Sequence, residues 1–168
     1  MTVKLRALEP EDLSALYEIE NDVDLWQFGS TTAPISRFAL RQYIASCKND
    51  IFEDGQLRLV IEKDGEFAGL LDLTSFSPIH RRAEVGIVVT PPMRNQGIAS
   101  QALAQLADYC QRIVGLHQLY AIVSSGNIAG RKLFESAGFV SDKMLKEWLL
   151  LPTGKAVDAC LYQRFLGI

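Results

Sequence analysis

The sequence predicts an α/β (α+β) fold. It reads as a mixed, mostly antiparallel sheet with helices packed on it, in the order β-α-α-β-β-β-α-β-α-β-β. Three observations carry this. Lys63-Asp64-Gly65-Glu66 separates two apolar runs, Gln56 to Glu62 and Phe67 to Ser75, and Asp-Gly in that setting signals a hairpin. From Glu84 to Val123 the chain reads strand, loop, long helix, strand, a crossover that joins two parallel strands. Phe139 to Leu150 and Lys155 to Phe165 then form a last pair of strands, turned through Pro152-Thr153-Gly154.

Taken in order, Val3 to Ala7 alternates apolar and polar as a short first strand. Glu9-Pro10-Glu11-Asp12 places Pro and acids where a helix begins, and Leu13, Leu16, Tyr17 and Glu20 continue it. Asn21 to Gly29 is polar and aromatic without a period. Ser36 caps a second helix running to about Cys47, with Phe38, Tyr43 and Ile44 as its apolar residues. Ser77 to Arg82 connects the hairpin to the strand at Ala83 to Val89, which Pro91-Pro92 stops. In the long helix, Ile98, Leu103, Leu106, Ala107 and Cys110 recur on one face, and Gly115 ends it. Leu119 to Val123 is the next strand; Asn127 opens the last helix and Gly138 closes it. No repeat, low-complexity tract or linker interrupts this order, so residues 1–168 read as one domain.

Composition narrows the classes. Net charge of −3 and the absence of a Lys/Arg run argue against nucleic acid as a partner. No apolar run reaches the roughly 18 residues of a membrane span, and the acidic N-terminal segment has no signal-peptide core. Three widely spaced cysteines (Cys47, Cys110, Cys160) and two isolated histidines (His80, His117) give no metal-ligand spacing and no disulfide framework. A reducing, cytoplasmic compartment is the plain expectation.

The chemistry concentrates between Glu84 and Cys110. The loop Arg94-Asn95-Gln96-Gly97-Ile98-Ala99 feeds a helix whose first turn is built of small residues, including Ser100 and Ala102. The first N–H groups of a helix lack partners and carry partial positive charge, so small side chains there let a diphosphate approach. Arg94 adds a formal charge. Neither a Walker loop nor a G-x-G-x-x-G fingerprint is present, and tight helix packing accounts for small residues equally well.

Arg94-x-x-Gly97-x-Ala99 after an apolar strand resembles the [QR]-x-x-G-x-[GA] signature of the GNAT superfamily of N-acetyltransferases. A second block follows, with Asn127, Ala129, Gly130, Leu133, Phe134, Glu135, Gly138 and Phe139 at the family's positions. The likeness runs from Leu5-Arg6-x-Leu8 to the last strand, and is nearest to the spermidine N-acetyltransferase and ribosomal-protein N-terminal acetyltransferase groups. It implies a GNAT-like domain whose two central parallel strands splay apart, with acetyl-CoA as cosubstrate and no metal. Backbone groups of Ile87, Val88 and Val89 would pair with the pantetheine arm. The amides of Asn95, Gln96, Gly97, Ile98, Ala99 and Ser100 would hold the diphosphate. An N–H near Val88 or Val89 would face the thioester oxygen, and Asn127 would contact the pantetheine end or orient its helix.

An alkylamine of pKa about 10.4 is free base in only about one molecule per two thousand at pH 7, so its proton must be removed. Glu84 is the candidate base, with an ion pair to Arg81 or Arg82 as the alternative role. Phe134 stands where the family commonly carries a Tyr that protonates the thiolate, and Phe has no proton to give; Tyr109 and Tyr120 are spare phenols, each otherwise read as core or surface filler. The polyamine-receiving loop is altered to Gly29-Ser30-Thr31-Thr32-Ala33-Pro34, while Glu20, Asp22 and Asp24 remain as acids. The acceptor is then a small amine or polyamine, or a protein N-terminus. The alternative class is a non-catalytic acyl-CoA-binding or sensing module. Exposed C-terminal strands allow a homo-oligomer.

Overall fold

The computed structural model describes residues 1–29 and 31–167; Ser30 of the altered loop, and Ile168, lie outside the described residues. Among the described residues, seven strands share one sheet: β1 (Val3–Ala7), β2 (Leu57–Lys63), β3 (Glu66–Ser77), β4 (Arg82–Val89), β5 (Gln118–Ser124), β6 (Val140–Leu150) and β7 (Ala156–Phe165). Their spatial order is β1-β2-β3-β4-β5-β7-β6, and every neighbouring pair is antiparallel except β4 and β5.

Period-2 alternation distributes the strands' side chains between two helical layers. One face carries Val60 and Leu70 under α1 (Leu13–Glu20) and α3 (Arg37–Ser46), which contribute Leu16 and Leu40. Residues one step along, Ile61 and Leu71, face the larger core. There they join Leu103 and Leu106 of α5 (Ile98–Tyr109) and Phe134 of α6 (Ile128–Ser136). The helix signals act as the sequence implies: Ser36 Oγ accepts from Ala39 N–H at 3.0 Å, and Gly138 adopts a φ of 84°. Two further helical turns, α2 (Val23–Trp26) and α4 (Ile51–Asp54), occur in segments without a readable period. The Asp22 and Asp50 carboxylates cap them, at 3.0 and 2.8 Å from the N–H groups of Asp24 and Phe52. After Tyr109 the long helix widens into a π-turn, Cys110–Val114, before Gly115 (φ 75°) ends it.

The parallel pair is brief. β4 and β5 are in register only at Arg82↔Gln118, Ala83↔Leu119 and Glu84↔Tyr120. Beyond that rung β4 stays paired with β3 as far as Gly69↔Val89, and β5 stays paired with β7 as far as Ser124↔Ala159. The two strands therefore separate into a V whose apex is the Glu84–Tyr120 rung. Gly69 holds β3 tightly against the β4 arm: a Cβ there would lie 2.1 Å from the Val88 carbonyl oxygen.

A buried charge cluster fixes β1 and the start of α1. The Asp12 carboxylate, 6% exposed, accepts both Arg6 Nη groups at 2.8 and 3.0 Å and the Glu9 N–H at 2.8 Å, while Arg6 Nε donates to Glu62 at 2.6 Å. Burial works to raise the Asp12 pKa, but the hydrogen bonds from Arg6 and Glu9 outweigh it and hold it below the usual 3.8. A depressed carboxylate pKa contributes stability above the unfolded-state value that is lost as pH falls through the folded one. Asp12→Ala should cost about 3 kcal/mol in urea unfolding at pH 7, since it leaves a half-buried guanidinium short of a partner. The difference from the parent should shrink below about pH 4, where the parent's own carboxylate protonates.

Candidate active site

At the open end of the V, the loop after β4 turns through two left-handed residues, Asn95 (φ 59°) and Gly97 (φ 74°). Gly97 is the N-cap of α5, and no side chain caps the helix. The N–H groups of Ile98, Ala99 and Ser100 thus begin the helix without intrahelical partners. A Cβ on Gly97 would meet nothing within 4 Å, so the space over these amides is open. Ile98 contributes only its backbone, its side chain being 1% exposed in the core; Ser100 is exposed and Ala99 half-buried. Arg94 Nε donates to the Val89 carbonyl at 3.0 Å, tying the loop to the tip of β4. Gln96 donates to the Pro92 carbonyl at 3.0 Å and accepts from Lys63 Nζ at 2.7 Å, which stations a second cation beside the loop. A helix start with free amides and two nearby cations fits an anionic diphosphate.

The apex belongs to the α1/α3 face. Thr74, Glu84 and Tyr120 are register partners across β3, β4 and β5, and Asp72 pairs with Gly86 and Arg58, so these side chains share that face. Glu84 is half-buried, and Ser75 Oγ lies 3.4 Å from its Oε2. No ion pair to Arg81 or Arg82 forms among the described residues. Alongside, a cavity of about 220 Å³ is lined by Glu20, Tyr43, Arg58, Asp72 and Thr74. Arg58 donates to Asp72 at 2.7 and 2.9 Å and to Glu20 at 2.6 Å. Burial opposes its charge, but the two carboxylates prevail and raise its pKa.

The second sequence block builds α6. Asn127 Oδ1 accepts from Gly130 N–H at 3.0 Å and so caps α6. Phe134 is 5% exposed, edge-on to Phe139 at 5.0 Å and stacked on Tyr162 at 6.3 Å between centroids.

The acetyltransferase (GNAT) domain model matches residues 2–140. This chain belongs to the GNAT acetyltransferase family. The spermidine N(1)-acetyltransferase of Escherichia coli K12 is 29% identical over 96% of this chain and 87% of that protein. A putative ribosomal N-acetyltransferase of Bacillus subtilis is 22% identical over 88% of this chain and 82% of its own length. Among solved structures, spermidine N-acetyltransferase from Vibrio cholerae in complex with CoA and spermine aligns with a TM-score of 0.85 at 26% identity, covering 98% of this chain and 95% of that one. A dodecameric structure of the V. cholerae enzyme aligns at 0.79 and 27% identity, covering 98% and 94%.

The chain is thus an acetyl-CoA-dependent N-acetyltransferase with the mixed sheet and parallel strand pair of that fold. Among the described residues no helix is long and apolar enough to cross a membrane, and no cluster of three or more His, Cys, Asp or Glu is arranged to hold a metal. All three cysteines are free; burial pushes the Cys110 thiol up to about 12. In this acetyltransferase the residues that single-sequence reasoning missed are Lys63, Arg58 and Asp72. The last two carried a signal, since each is a charge inside an otherwise apolar strand, Leu57-Arg58-Leu59-Val60 and Leu70-Leu71-Asp72-Leu73.

Gly97→Glu should abolish acetyl-CoA binding by calorimetry, because it adds a carboxylate over the uncapped amides. Gly97→Ala is the control: it carries only the left-handed backbone strain, about 1–2 kcal/mol, and should still bind. Equal affinity for the parent and Gly97→Glu would remove the diphosphate from this loop.

Proposed function

We propose that this GNAT acetyltransferase transfers the acetyl group of acetyl-CoA to a primary amine of a polyamine. The observation that carries the reading is the charge on the acceptor face. Glu20, Asp72 and Glu84 stand there beside the V's apex; Arg58 bridges the first two, and Glu84 forms no ion pair among the described residues. A carboxylate left without an ion pair on this face suits an amine that keeps other ammonium groups after one has been deprotonated. The similarity to spermidine acetyltransferases points the same way, whereas a protein N-terminus carries one amine and needs no such surplus. Residues 1–168 are read as one catalytic domain, in keeping with a sheet that takes in both β1 and β7, and the compartment as the cytoplasm.

In this mechanism the amides of Ile98, Ala99 and Ser100, with Arg94 and Lys63, hold the diphosphate. The arm then lies along the unpaired edge of β4, against the backbone of Ile87, Val88 and Val89. Glu84 takes the proton of the incoming ammonium, directly or through one water, and the freed amine attacks the thioester carbon. A cleft-facing N–H of β4 close to the apex supports the charge that develops on the thioester oxygen; such a donor contributes on the order of 3 kcal/mol. A half-buried carboxylate at the apex, free of Arg81 and Arg82, favours catalysis over a sensing module.

Self-assembly is part of the proposal. Val140, Met144, Trp148 and Leu150 of the edge strand β6 are exposed at 47–75%, and an apolar edge of this kind invites pairing with another copy. Trp148→Glu should reduce the mass seen by sedimentation, and an unchanged mass would move the interface elsewhere.

The function is tested by thiol release from acetyl-CoA with spermidine, spermine, amino acids and peptides bearing free N-termini. Polyamines should lead the panel; release with peptides alone would replace the polyamine reading by protein acetylation. Glu84→Gln should lower kcat by roughly 10²-fold with little change in acetyl-CoA affinity. Unaltered turnover between pH 6 and 9 would take the base role from Glu84.

A further inference from the structure

With Phe134 sealed in the core, the thiolate released by the proposed transfer needs another source for its proton. We propose that Tyr120 is that source, acting from the last paired rung of the V. The inference rests on the acetyl-transfer reading above, and concerns the leaving-group side of the same reaction.

The chain has five tyrosines; three are engaged by neighbouring groups and a fourth, Tyr109, faces away from the apex. Tyr17 lies under the Arg37 guanidinium, 4.2 Å from the ring centroid. Tyr43 lines the acceptor cavity beside Arg58 and Cys47, and burial pushes its phenol up to about 12, which makes it a reluctant donor. Tyr109 sits at the end of α5 on the opposite face. Tyr162, 1% exposed on that same opposite face, donates to Glu135 at 2.7 Å and accepts from Arg131 at 3.3 Å, so its proton is already shared.

Tyr120 alone combines a place at the apex with a free hydroxyl among the described residues. It is half-buried, not sealed, and among the described residues its hydroxyl makes no hydrogen bond. It is paired with Glu84 on one side and with Gln163 of β7 on the other, so Glu84 is the charged neighbour it faces across the strands. Beyond this rung β4 and β5 part, and the open edge of β4 from Val89 back to Glu84 spans about 17 Å at 3.3 Å per residue. An arm seated at the Asn95–Ser100 loop therefore carries its sulfur down the V toward Tyr120. Adjacent strands are about 4.8 Å apart, which places a base and a phenol on either side of the same gap.

The proton balance closes without a further reagent. Glu84 removes one proton from the ammonium and returns it to solvent. The nitrogen forms its bond to the acetyl carbon, the C–S bond breaks with its electron pair on sulfur, and the Tyr120 O–H protonates that sulfur. The second amine proton passes through Glu84 or a bridging water to the Tyr120 phenolate and restores it. The products are the acetamide, the free thiol and one proton.

Tyr120→Phe keeps the ring and removes only the hydroxyl. With spermidine as acceptor, kcat should fall about 10²-fold, the scale of one acid–base group. The KM for spermidine and the calorimetric Kd for acetyl-CoA should stay within twofold of the parent. Acceptor-free hydrolysis of acetyl-CoA, followed as thiol release to water, reads the same leaving step and should fall in parallel. A variant that matches the parent in both assays would overturn the proposal, and so would a selective loss of acetyl-CoA affinity. If the parent ignores spermidine but hydrolyses acetyl-CoA, the polyamine reading fails by itself, and the hydrolysis comparison still decides the role of Tyr120.

Discussion

Every functional feature of this molecule depends on a loss of backbone pairing. β4 and β5 hold together for three residues each and then diverge. An unpaired N–H or C=O inside a sheet costs free energy unless something meets it. The outer neighbours compensate in part: β3 accompanies β4 to Val89, and β7 accompanies β5 to Ser124, so each arm of the V is supported from its far side. Gly69 sharpens this support, because only a residue without a Cβ lets β3 sit against the Val88 carbonyl. The result is a rigid cleft with strand edges exposed inside it. An extended amide-bearing chain such as pantetheine is the kind of ligand that satisfies such edges.

Charge is divided between the ends of that cleft. At the mouth, the uncapped start of α5 lies with Arg94 and Lys63, a local positive site in a chain of net charge −3. At the apex and along the neighbouring face stand the carboxylates Glu20, Asp72 and Glu84, and Arg58 organises the first two. Arg58 does more than neutralise. By bridging Glu20 at the end of α1 to Asp72 in β3, it fixes the acceptor wall to the sheet. An anionic donor and a cationic acceptor thus reach the apex from regions of matching opposite charge.

Much of this was legible in the sequence where one local signal fixes one structure. Asp64-Gly65 can hardly be other than a tight turn, Ser36 starts its helix, Gly138 closes another, and Arg94-x-x-Gly97-x-Ala99 marks the loop. The short helices α2 and α4 escaped because four residues are too few to show a 3.6 period, although Asp50 and Gly55 (φ 70°) bracket α4 with the usual cap residues. The Arg58 bridge escaped because it joins positions 38 and 14 residues away, and Lys63 meets Gln96 across 33. The apex was beyond sequence reasoning for the same cause: which residues of β4 and β5 form the last rung is a matter of register, set by the whole sheet. Tyr120 gained its meaning only from that register, and Arg81 and Arg82 lost the ion pair that sequence adjacency offered them.

The most direct test is amide hydrogen exchange with and without acetyl-CoA. Binding should slow exchange at the cleft-facing amides of β4, Val85, Ile87 and Val89, and at Ile98, Ala99 and Ser100, while the already paired β2 and β7 change little. Protection elsewhere, with these amides exchanging as before, would contradict the account, because acetyl-CoA would then be held by something other than the opened strands.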